Sequence, residues 1–178
     1  MLEHYSQARP AANTGRAALY SVDVDILDRL LDHNVQTTQK LIEQSRSLSD
    51  VQLDQAFDIG LRSVRATIHH IIESMEWWTD VMNDVPERKL KPGSMTLEGL
   101  KQRLETVAPE FAAVARECQA QGRLDAVWTG SEDQPQAFSY GNTIVHVITH
   151  SAHHRAQWMY MLKRLGVENV IMAQALRW

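Results

Sequence analysis

Six of the eight histidines fall into two groups, His69–His70 and the set His146, His150, His153 and His154, while His4 and His33 stand apart. On a helix, residues four apart lie one above the other on the same face. His150 and His154 form such a pair, and so do His146 and His150. Two imidazoles one turn apart can chelate a single cation, since the neutral ring nitrogen is a good ligand for zinc, nickel, copper and iron. Periodicity separates the two pairs: Thr143, Val147, His150, His154, Met161 and Leu165 follow one seam, whereas His146 and His153 sit roughly 60–100° further round. His150 and His154 therefore face inward, and His146 and His153 are peripheral. A third ligand has to come from His69–His70. Relative to the apolar seam of its helix, His69 lies roughly 140° from the centre and His70 roughly 120°. Geometry thus favours His70 only slightly; it shares its side with Ser63, Thr67 and Ser74, a polar strip able to border a cleft. Ser151 stands where the HExxH motif carries its glutamate, so the general base of those hydrolases is missing.

Other side chains have chemical potential of their own. Glu73 and Glu76 could support the histidines or shuttle a proton, although solvated face residues are the simpler reading. Arg155 could bind a carboxylate of a substrate or partner, or form a surface or interhelical ion pair. In the Trp77–Trp78 pair, Trp78 belongs to the seam and Trp77 lines a cleft or an interface. Cys118 lies on an apolar seam and reads as a buried, inert thiol.

Long amphipathic helices have to position these residues. The first is expected from about Val22 to Gln44, with Ile26, Leu27, Leu30, Leu31, Val35, Leu41 and Ile42 as its apolar side, followed by a loop over Ser45–Gly60. The second is expected from Leu61 to Asn83; Leu61, Val64, Ile68, Ile71, Met75, Trp78 and Met82 recur at alternating steps of three and four, a bundle seam. Pro86, Pro92 and Gly93 interrupt the chain before Leu97, Leu100, Leu104, Val107, Phe111, Val114 and Cys118 repeat the stepping. Pro109 predicts a kink or restart there. Gly122–Tyr140 reads as an irregular connection anchored by Trp128 and Phe138. The fourth helix is expected from Asn142 to Leu165, closed by Gly166. Residues 1–20 read as an extended or flexible lead-in, and the tail after Gly166 could pack back on the bundle. Four such helices and no convincing strand imply an all-α four-helix bundle.

The bulk numbers agree with one domain over residues 1–178. The chain is 44% hydrophobic and 22% charged, with a formal net charge of -4, and its length suits a single core. No basic stripe marks a nucleic-acid binder, and no apolar run is long enough to span a bilayer. The opening residues lack the layout of a secretory signal, and a lone cysteine fits a reducing cytoplasm.

Three stretches resemble the DinB-like family of small metal-binding bundles (the damage-inducible group, not the DNA polymerase). LLDHNVQTTQKLIEQSRSLSD is similar to that family's opening helix, and SVRATIHHIIESMEWW to its histidine-bearing second helix. HVITHSAHHRAQ, the most specific, is similar to its HxxxHxxxHRGQ signature, with Ala156 in place of glycine. The likeness covers roughly residues 20–168. It implies an up-down-down-up bundle, frequent homodimers, and a metal held by one second-helix histidine with the second and third signature histidines, here His70, His150 and His154. It also implies a divalent cofactor, zinc first with nickel or iron as alternatives, and activity as a metal-dependent hydrolase or low-molecular-weight-thiol transferase. Two non-catalytic readings stand beside this: a metal-binding or stress-response dimer whose metal is structural or sensory, and a purely structural dimer. A homodimer is also expected from apolar residues beyond the seams, namely Ile72, Trp77 and Val81.

Overall fold

The computed structural model describes residues 25–129 and 137–171; the expected lead-in and the last residues of the tail lie outside that range. The elements in chain order are α1 (Ile26–Ser45), α2 (Asp50–Leu53), α3 (Val64–Met82), α4 (Leu97–Ala120), β1 (Val127–Thr129), β2 (Ala137–Ser139) and α5 (Tyr140–Arg164). The fold is an all-α bundle of α1, α3, α4 and α5.

Each helix starts where a short polar side chain can satisfy a free backbone N–H. Asp25, Ser49, Ser63, Thr96 and Ser139 cap the five N-termini, each cap contributing about 1 kcal/mol. Ser63 explains why α3 begins at Val64 rather than at the expected Leu61, which lies half-buried outside the helix. In the segment expected to be a loop, Ser49 and Gln52 form a reciprocal capping box that supports the short α2. Gly166, with φ of 81°, lies just beyond α5 in the left-handed region that ends helices.

Side-chain pairs give the direction of the four long helices. Asp28 meets Arg116 and Glu43 meets Lys101, so α1 and α4 are antiparallel. Asn34 meets Arg155 and Ser45 meets Trp158, so α1 and α5 are parallel. Glu76 meets Arg103, and Arg88 spans Asp80 and Glu110, so α3 and α4 are parallel. His70 meets His150, and Trp78 meets His146, so α3 and α5 are antiparallel. This is the up-down-down-up arrangement. The two parallel neighbours α3 and α4 need a return segment, residues 83–96, which Asp80 holds against the bundle through the Arg88 side chain and backbone.

The core is one cluster that includes Leu41, Ile68, Met75, Leu104, Phe111 and Trp158. Several expectations change here. Ile26 and Leu30 are 68% and 42% exposed; at the same level Leu27 and Leu31 join the core and Asp28 reaches Arg116 of α4, so these two residues lie on the outer side of α1. Lower down, α1 buries Asn34, Thr37, Thr38 and Ser45 instead. Ile72 is fully buried and belongs to the core, so of the residues cited for a dimer only Trp77 is largely exposed. Pro109 starts no new helix: α4 runs through it, and the proline is on the exposed side, where the carbonyl it leaves unpaired can face water. The supposedly irregular connection contains an antiparallel ribbon that pairs Trp128 with Phe138, and their rings stack at 5.3 Å. The expected anchors thus anchor each other and lean on Trp78, at 5.9 and 5.6 Å. As far as Ile171, the tail does pack back, with Gln44 donating to the Asn169 carbonyl and accepting from Ile171 N–H. Among the described residues, no helix is long and apolar enough to cross a membrane.

Candidate metal centre

The antiparallel contact of α3 with α5 brings His70 opposite His150 and His154. The Nε2 atom of His150 lies 3.2 Å from His70 Nε2 and 3.1 Å from His154 Nε2. Nitrogens bound tetrahedrally to one ion at zinc–imidazole distances stand roughly 3.3 Å apart, so the three side chains fit a metal ion. Among the described residues they are the one set of three histidine, cysteine or carboxylate side chains whose ligand atoms lie within 4.8 Å of one another.

Their electrostatics suit the same role, because a ligating imidazole has to be neutral. Burial depresses the pKa of all three rings below the ordinary 6.5. His150 falls furthest, to about 4, through burial first and then the neighbouring histidines. For His154 a hydrogen bond with Gln157 partly opposes the burial. A stability consequence follows. Between about pH 6.5 and 4 the unfolded chain binds protons that these folded rings refuse, so folding stability falls as pH falls through that window. In the presence of a chelator, the melting temperature is expected to drop steadily from pH 6.5 to 4; a flat profile would show that the rings are not desolvated.

His69, His146 and His153 lie around this set. His69 points toward α4, where the Arg103 guanidinium donates to its Nδ1 at 3.2 Å; its Nε2 is 3.7 Å from Glu73. Arg103 is in turn clamped by both oxygens of Glu76. Glu76 is buried in that ion pair and is not the solvated face residue expected, whereas Glu73 is exposed. His146 and His153 are exposed, as their position on the wheel implied. His146 stacks on His150 at 5.1 Å and meets Trp78 edge-on at 5.8 Å, which links the histidines to the aromatic ribbon. His153 Nε2 lies 2.8 Å from Gln157 Nε2, and Gln157 Oε1 is 2.9 Å from His154 Nδ1.

A cavity of about 620 Å³ adjoins His70, with Glu73, Ser74, Trp77, Leu90 and Arg103 on its walls. Of the polar strip, only Ser74 borders this cleft. Ser63 caps α3, and the Thr67 hydroxyl donates back to the Ser63 carbonyl. A larger cavity of about 710 Å³, between α4 and the 83–96 segment, touches none of the three histidines.

Arg155 departs furthest from expectation. It is 2% exposed and among the described residues pairs with no carboxylate; its guanidinium donates to the Asn34 side-chain oxygen and backbone carbonyl and to the Thr38 hydroxyl. Burial lowers its pKa to about 10, so it remains a cation at neutral pH and ties α5 to α1. Cys118 is buried, and burial raises its thiol pKa, as befits an inert group. Gln157 ends the signature-like segment HVITHSAHHRAQ, but the sequence alone assigns it no role. Its spacing from His154 and His153, three and four residues along one helix, is the signal that could have found it.

The model of the DinB family matches residues 21–177. A DinB-like protein of solved structure from Bacillus cereus ATCC 10987 shares the fold, with a TM-score of 0.60 and 18% identity over 82% of this chain and 97% of that one. No curated protein matches the chain.

Proposed function

The chain belongs to the DinB family, and from that premise we propose that His70, His150 and His154 hold a divalent metal ion, zinc first with nickel or iron as alternatives, at the centre of a metal-dependent hydrolase or low-molecular-weight-thiol transferase. One observation carries the reading: three depressed-pKa imidazoles converge through their Nε2 atoms beside a cavity of substrate size. Among the described residues no fourth histidine, cysteine or carboxylate joins them. Three protein ligands with an open position are typical of catalytic zinc, whereas structural sites are closed by a fourth.

When bound, such an ion keeps its full charge among neutral ligands and brings a water or thiol toward its ionised form near neutral pH. The chain supplies the rest. Trp77 and Leu90 give the cavity an apolar wall, and Glu73 on the same wall can accept a proton and pass it to solvent. His153 is less suited to that task because Gln157 engages it.

The test is metal analysis of untagged protein, followed by rates for small ester, amide and thiol-transfer substrates on apo and reconstituted forms. Stoichiometric metal is expected, with activity absent from the apo protein, restored by metal, and rising with pH through one ionisation near neutrality. Equal rates for the two forms would make the metal structural or sensory, and a chain that takes up no metal would overturn the site.

A further inference from the structure

We propose that Gln157 is a positioning residue for the histidine centre: its side-chain oxygen holds the proton of His154 on Nδ1, leaving Nε2, which faces His150, free to bind a cation. The inference rests on the reading that the three histidines hold a metal. A neutral imidazole carries one proton, and an acceptor beside one ring nitrogen keeps the proton there. Gln157 Oε1 is such an acceptor, 2.9 Å from His154 Nδ1. The other end of the amide is anchored too, since Gln157 Nε2 donates to His153 Nε2 at 2.8 Å. A ligating histidine ordinarily donates its second ring N–H to a group that fixes its orientation and raises its basicity, and within this chain Gln157 stands in that place for His154.

The loop before α3 leaves room for the amide. Gly60 lies against it with φ of 48°, and a Cβ built there would overlap Gln157 Oε1. Phe57 N–H donates to the Arg62 carbonyl at 2.7 Å and Arg62 N–H to the Ile59 carbonyl at 2.9 Å, so the backbone around Gly60 is held in place. Any side chain at residue 60 would therefore displace the amide from His154. The HRAQ segment and a glycine almost a hundred residues earlier thus act on one ring.

Zinc affinity, measured by competition with a chromophoric chelator, tests this in the full-length protein. Gln157→Met keeps the length but removes the acceptor and is expected to weaken zinc binding about 10–100-fold. Gln157→Glu restores an obligate acceptor and is expected to bind at least as tightly as wild type. Gly60→Ala should weaken binding in the same direction as Gln157→Met. Nitrogen–proton spectra of the zinc-loaded wild type should show an exchange-protected proton on His154 Nδ1 that Gln157→Met loses. Unchanged affinity in Gln157→Met, or equal weakening by Gln157→Glu, would overturn the proposal while leaving the metal site standing. A wild type that binds no zinc would instead remove the metal reading on which it rests.

Discussion

The His150→Ala variant is expected to lose stoichiometric metal while keeping its helical content. His150 is the middle member of the centre, within 3.1–3.2 Å of both partners, so its removal leaves two rings without the one that joins them. If a binding free energy of order 10 kcal/mol is shared over three ligands, losing one costs roughly two to three orders of magnitude in affinity. The apo protein should not suffer. His150 is only half-buried, and its replacement relieves a cluster of nitrogens crowded into a desolvated place. The apo variant is therefore expected to melt at or above the apo wild-type temperature, the usual relation between a functional site and stability. Metal analysis and circular dichroism check both parts; full occupancy would remove His150 from the ligand set.

The second large effect concerns Glu76 and Arg103. Their side chains are 8% and 11% exposed and are paired through two contacts, at 3.0 and 2.5 Å. Removing one partner of a buried pair strands the other charge. Glu76→Ala is expected to cost about 3 kcal/mol, the low end for such pairs because both residues border cavities. For a chain of this length that corresponds to a fall of roughly 6–12 °C in melting temperature. The double variant Glu76→Leu with Arg103→Met strands no charge and should recover at least half of the loss. Additive losses would show that the two groups are not energetically coupled.

The contrast between these sites shows what the sequence could convey. His150 and His154 were legible because both lie on one helix, where 3.6 residues per turn fixes their relation. His70 was separable from His69 only weakly, since the wheel says which way a residue turns but not what waits there: Arg103 of α4, clamped by Glu76, waits for His69, and His150 of α5 for His70. The four long helices were legible from their apolar stepping. The ribbon was not, because strands of three residues leave almost no periodic signal. Arg155 was misjudged for a related reason. A charged side chain normally implies solvent or a carboxylate, and the oxygens that replace them belong to Asn34 and Thr38, 121 and 117 residues away. A buried polar group can be recognised only with its partner, and the partner here is remote.

Eighty residues of chain separate His70 from His150. Closing a loop of that length is entropically unfavourable and yields no contact until α5 has docked against α3. Before that docking α5 alone can offer a cation only its own histidines, such as the one-turn pair His150 and His154. The complete centre therefore exists only once α3 and α5 have docked, and an ion held there as proposed would stabilise only the folded state. On the proposed function, the stability of the protein would then track, by mass action, the free metal concentration around it.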